Sequence, residues 1–169
     1  MKFQIKASNG NTQTCNPSAI TMALKASRGL YFYIETMRTA LDDGIVTDDE
    51  ASILKVLATA LGVSPFDVGP AIDVAKGVDP SPFTDTSEYQ EHQIGDATTY
   101  QTALVAALDD EVISEDEWAM LDNLRGLLGI QSDQHALIEE SIRSMSESDE
   151  NGERRLARLE RFNTVCPYS

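Results

Sequence analysis

Two cysteines, two histidines and one tryptophan are all that 169 residues hold of the side chains that most often carry metal, redox or stacking chemistry. Cys15 and Cys166 stand near opposite ends with no CxxC spacing, which excludes a thiolate-built zinc site. Two buried free thiols and one disulfide joining the ends both fit that count. No apolar run approaches the roughly 20 residues that span a bilayer. The N-terminal MKFQIKASNG has no hydrophobic signal core, so the expected location is cytoplasmic. Basic residues are scarce: 13 Lys and Arg against 28 Asp and Glu leave a net charge of −15. Nucleic acid and anionic membrane surfaces repel such a chain, whereas cations and basic proteins are attracted to it. Catalytic signatures are missing too. There is no Gly-rich phosphate loop, no G-x-S-x-G and no H-E-x-x-H. His92 lies in a polar stretch, and His135 falls in the first turn of a predicted helix, facing solvent. No nucleophile stands near either in sequence, so no enzyme activity is expected.

Strand patterns are equally rare. Only residues 2–7, KFQIKA, alternate with Phe3, Ile5 and Ala7 on one side. A lone strand leaves its backbone groups unpaired, so this segment either frays or adds to a partner's sheet edge.

What the chain does contain is a duplication. Leu41–Gly62, LDDGIVTDDEASILKVLATALG, returns as Leu108–Gly129, LDDEVISEDEWAMLDNLRGLLG, and both ends of the match lie 67 residues apart with no gap. Glu50 falls on Glu117, Leu54 on Leu121, Leu57 on Leu124 and Leu61 on Leu128; upstream, Tyr33 falls on Tyr100. An unbroken register of this kind marks an internal repeat.

Each copy opens with a capping box. In Thr47-Asp48-Asp49-Glu50 and Ser114-Glu115-Asp116-Glu117 the hydroxyl accepts from the N3 amide and the glutamate reaches back to the cap amide. Acidic first turns also suit the positive end of the helix dipole. The predicted helices run over about 48–61 and 115–128. Their inward stripes are Ala51, Leu54, Leu57, Ala58 and Leu61, then Trp118, Leu121, Leu124 and Leu128. Gly62 and Gly129 occupy the position where a left-handed residue closes a helix, and Val63 and Ile130 pack back on it.

Other helices are expected at about 18–28, 30–42, 65–76, 87–94, 97–109, 133–145 and 153–163. Gly29 separates the first two, Gly69-Pro70 kinks or shortens the third, and Ser132 caps the sixth. Tyr31, Phe32 and Tyr33 form an aromatic cluster suited to a core. The last helix, RRLARLERF, carries four arginines and is the one basic patch, suited to dock on the acidic body or on a partner. The expectation is an all-α single domain: a compact bundle of about seven to eight helices from two pseudo-symmetric halves, with a short N-terminal strand-like segment. The first half covers about 18–77, a connector about 78–86, the second half about 87–145 and the C-terminal helix about 153–163.

The carboxylate clusters are the functional candidates. Oxygen-rich loops suit hard cations such as Ca²⁺ and Mg²⁺. Asp43 to Glu50 matches positions 5 to 12 of an EF-hand loop, with Gly44 at 6 and Glu50 at 12. Positions 1 and 3 would be Thr39 and Leu41, which bring no carboxylate. In the second copy these are Ala106 and Leu108, and Glu111 replaces the glycine. A standard calcium loop is therefore not expected, and a weaker site drawing on both acidic loops is the remaining metal reading.

The residues Ala40, Asp43, Gly44, Val46, Glu50, Leu54, Leu57, Leu61, Gly62 and Val63 resemble the pattern of the TerB-like domains, a tellurite-resistance and stress-associated family. Ala107, Asp110, Ile113, Glu117, Leu121, Leu124, Leu128, Gly129 and Ile130 repeat it. The resemblance covers about residues 30–143. It implies a helical bundle of two pseudo-symmetric halves, a scaffolding role in stress response or in membrane-associated or phage-defence complexes, and cation binding by acidic residues. Carried onto this chain, those are Asp42, Asp43, Glu50, Asp109, Asp110 and Glu117. The expected function is thus a non-catalytic interaction or scaffold domain with a basic protein partner. The competing expectation is a small subunit of a larger viral or cellular assembly, docking through its N-terminal strand and C-terminal segment.

Overall fold

The computed structural model describes residues 23–109 and 112–145. The strand-like segment at 2–7, the arginine-rich helix at 153–163 and both cysteines lie outside them, as do Asp110 and Glu111. The described residues hold six α-helices: α1 Arg28–Ala40, α2 Asp48–Ala60, α3 Pro65–Ala75, α4 Asp96–Ala107, α5 Glu115–Leu127 and α6 Ser132–Met145. One 3₁₀ turn, Ser87–Gln90, precedes α4. The all-α expectation holds for these residues, with six α-helices in place of seven or eight. No helix among them is long and apolar enough to cross a membrane.

The repeat is written into the helix boundaries. The starts of α2 and α5, Asp48 and Glu115, stand 67 apart, as do the starts of α3 and α6, Pro65 and Ser132. Both capping boxes form. Thr47 N–H donates to Glu50 Oε2 at 2.8 Å and Ser114 N–H to Glu117 Oε2 at 2.7 Å. The reciprocal bonds from the glutamate amides to the hydroxyls measure 3.2 and 3.3 Å. Both helices also stop alike. Gly62 and Gly129 adopt φ of +69° and +68°, which an L side chain takes only with strain. The following amides then turn back onto the helix, Val63 N–H to Ala58 C=O at 2.8 Å and Ile130 N–H to Arg125 C=O at 3.0 Å.

The halves do not pack side by side as finished units. Helix α1 lies chiefly against α5, and α2 chiefly against α4. The 67-residue shift exchanges these two pairings, so they are one contact seen twice. The core sits between them. Leu57 and Leu124, which correspond, are both wholly buried, as are Ile34, Tyr100 and Leu104. Burying each such side chain contributes roughly 1.5–3 kcal/mol. Asn123 of α5 adds a polar link across the halves, donating to Glu35 C=O at 3.1 Å and to Thr39 Oγ1 at 2.8 Å on α1.

Several expectations are corrected. Residues 23–27 of the helix expected at 18–28 are not helical, and Ser27 instead caps α1 by accepting from Leu30 N–H at 3.2 Å. Gly29 lies inside α1. It is there because a Cβ would stand 2.1 Å from Leu61 C=O, so the start of α1 can rest on the end of α2 only without one. Helix α3, expected over about 65–76 with a kink or shortening at Gly69-Pro70, carries Pro70 inside and ends at Ala75. The segment expected as a helix at 87–94 is helical only as the 3₁₀ turn. Ser132 lies in the first turn of α6, and Gln131 takes the cap position, its N–H donating to Gln134 Oε1 at 2.8 Å. Ala51 and Trp118 are exposed, while Ile53 and Met120, two residues on and on the opposite side of each helix, are wholly buried.

The connector is anchored rather than free. Phe83 and Tyr89 pack on Tyr31 with ring centroids 5.3 and 5.6 Å away. Arg28 ties down the segment just after the connector, donating to Tyr89 C=O and Glu91 C=O at 3.0 Å each and to both oxygens of Asp96 at 2.7 and 2.9 Å. Its guanidinium also sits 4.4 Å from the Phe32 ring centre. Asp96 is buried, which works against its charge. The Arg28 hydrogen bonds, the Gln93 N–H and the nearby charges outweigh that, and its pKa lies below the ordinary carboxylate value.

Candidate functional site

The acidic candidates divide into two physical kinds. Glu50 and Glu117 are only 3% and 4% exposed, and each spends its Oε2 on a cap amide. Thr47 Oγ1 donates to the same Glu50 oxygen at 3.0 Å. Asp42, Asp43 and Asp109 stand on the surface, together with Asp48, Asp49, Glu115 and Asp116. Asp43 holds its own turn, Oδ1 accepting from Ile45 N–H at 2.9 Å, and Gly44 follows with φ of +82°. Among the described residues no three His, Cys, Asp or Glu side chains converge as a cation site would need. Asp110 is not among those residues. What the loops do present is a set of exposed carboxylates at the start of α2 and α5, none of them in an ion pair within the described residues.

A second feature comes from the same repeat. An open groove of about 550 Å³ lies between α1, α2 and α3. Tyr33, Met37, Leu54, Val63, Val68 and Ile72 form its walls, with Ala51 and Lys55 on one side and Lys76 on another. Volumes of this size and apolar linings with a few polar groups are typical of ligand sites.

The corresponding place in the second half is filled. Trp118, at the position of Ala51, lays its indole against His135 with ring centres 5.3 Å apart. His135, at the position of Val68, shares a 2.7 Å hydrogen bond between Nδ1 and the Tyr100 hydroxyl. Its Nε2 lies 3.2 Å from Glu139, at the position of Ile72. Glu139 in turn accepts from Arg143, at the position of Lys76, with a shortest distance of 2.7 Å. A polar chain thus runs Tyr100–His135–Glu139–Arg143 beneath an indole lid. His135, expected to face solvent, is half-buried within it. Burial pushes the Tyr100 phenol up to about 12.

In the first half the two middle members are apolar and the lid is a methyl group. Tyr33 as a residue is 2% exposed, and its hydroxyl makes no hydrogen bond among the described residues; no buried side-chain polar atom there lacks a partner, so the hydroxyl itself reaches solvent. Burial raises its pKa, so at neutral pH it is an O–H donor. Lys55 and Lys76 have no ion pair there either. All four described arginines do, with Asp96, Glu35, Asp122 and Glu139. Ala51 and Lys76 gave no signal on their own. Reading each residue of one copy against its partner in the other was the available clue, because Ala51 opposite Trp118 and Ile72 opposite Glu139 are large changes within a matched register.

No protein-family model, no curated protein and no solved structure matches the chain.

Proposed function

We propose that the chain is a non-catalytic interaction or scaffold domain of the TerB-like kind, acting in the cytoplasm in a stress response. Its acidic turns engage a basic partner protein or divalent cations such as Ca²⁺ or Mg²⁺. The observation that supports this reading is the pair of exposed carboxylate clusters, without an ion pair among the described residues, at matched positions of a two-fold repeat. Buried Glu50 and Glu117 shape those turns, while Asp42, Asp43, Asp109 and Asp110 supply the charge a cation or basic surface would meet. A two-fold pair of like-charged turns suits a partner that itself offers two basic contacts.

Thermal unfolding in EDTA and then in millimolar Ca²⁺ or Mg²⁺ at fixed ionic strength tests the cation arm. Saturation at 100 times the dissociation constant adds about 2.7 kcal/mol of stability. The gain should vanish in an Asp43→Asn, Asp110→Asn double variant, which leaves both capping boxes intact. Titration with a basic peptide tests the partner arm, with heat that shrinks as salt is raised. Silence in both titrations removes the interaction reading.

A further inference from the structure

We propose that the groove between α1, α2 and α3 is a binding site for a small aromatic carboxylic acid, independent of the acidic turns. The second half shows what such a groove takes when filled. There an aromatic ring covers it and a carboxylate, Glu139, satisfies the terminal cation Arg143. In the first half the ring is absent at Ala51, the carboxylate is replaced by Ile72, and the cation remains as Lys76. An incoming acid supplies both missing parts, its ring over Ala51 and its carboxylate toward the lysines.

Two further observations point the same way. The Tyr33 hydroxyl opens on the groove without a partner although its residue is 2% exposed. No buried side-chain nitrogen or oxygen among the described residues lacks a partner, so this hydroxyl is open to solvent and free to donate to a ligand oxygen. Charge adds the second. In a chain of net charge −15, two of the three described lysines line this one groove. Lys55 stands where the second half has Asp122, so the local sign is reversed as well. An anion is repelled by most of this surface and attracted here. Apolar walls exclude a fully hydrated anion, which leaves an acid with an apolar body.

Calorimetric titration of the full chain with 1-naphthaleneacetate, and with its neutral amide as control, tests the assignment. The acid should bind at least about tenfold more tightly than the amide. Ala51→Trp, which copies the second half's lid, should abolish binding without lowering Tm. Lys76→Glu should weaken the acid about tenfold and leave the amide unchanged. Tyr33→Phe should weaken both. Equal affinity for acid and amide, unchanged binding in Ala51→Trp, or no binding to the wild-type chain overturns the proposal. The chain's own C-terminal segment is the rival occupant. Binding that appears only in a Leu156→Asp, Leu159→Asp variant would assign the groove to that segment instead.

Discussion

Two copies of one helical pattern have been put to different uses within the same bundle. The first half keeps an open apolar groove with a phenol that has no hydrogen-bond partner among the described residues. The second fills the same place with Trp118, His135 and Glu139 and spends its polar groups on one another. The helix starts, helix stops and cross-packed leucines barely differ. A duplicated fold therefore holds its frame through caps and buried leucines. The wall positions 51, 68 and 72 can change character because no helix boundary depends on them.

If the frame is shared, its matched residues should fail alike. Leu57→Ala and Leu124→Ala, both at wholly buried positions, should each cost about 4 kcal/mol in urea unfolding. A difference above about 1.5 kcal/mol between them would break the equivalence of the halves. Gly29→Ala should follow at about 3 kcal/mol, since its Cβ meets backbone that cannot rotate away. The matched residue in the second half is Asp96, which carries a side chain without conflict. There the corresponding carbonyl, Leu128 C=O, is met by His92 Nδ1 at 3.0 Å.

Arg28→Ala should cost about 2 kcal/mol by leaving the buried Asp96 carboxylate without its main partner. The same pair sets part of the acid limb. Because the native pKa of Asp96 is depressed, its contribution is present above the ordinary carboxylate value of 3.8 and is lost as pH falls through the native one. Melting temperatures between pH 6 and pH 2 should therefore fall less steeply in Asp96→Asn than in the wild type.

Trp118→Ala should cost about 1.5 kcal/mol, because the residue is 36% exposed and only part of its surface is lost from packing. It should also open a second groove, detectable as new binding of a hydrophobic dye. The smallest effect should come from the caps. Thr47→Ala and Ser114→Ala should each remove about 1 kcal/mol, equally in both halves.

Much of this frame was legible in the residues. The register, both capping boxes, both closing glycines and the buried leucines follow from local rules that need no knowledge of neighbours. The misreadings arose where tertiary contact overrode a local cue. Gly29 reads as a helix breaker, yet its role is to let Leu61 approach. Trp118 reads as a core residue by hydrophobicity, yet it is exposed and Met120, on the opposite side of the helix, is inside instead. Pro70 reads as a kink or a shortening, and the helix carries it inside and runs on to Ala75. The acidic loops were visible as charge, but that Glu50 and Glu117 are buried caps while Asp42 and Asp43 face solvent depends on which way each turn points. The groove was the least legible feature, since it is defined by atoms that are missing relative to the other copy.

The pairing of α1 with α5 and of α2 with α4 bears on ancestry. A single ancestral copy, lacking the other, would have left its main apolar face bare and would have gained stability by joining a twin about a two-fold axis. Fusing two such copies turns an encounter between molecules into one within a chain, at an effective concentration on the order of millimolar. It also ends an obligation. In a symmetric dimer each substitution appears on both sides at once. After fusion, one side can be sealed while the other stays open, and the divergence at Ala51 and Trp118 is the mark of that freedom.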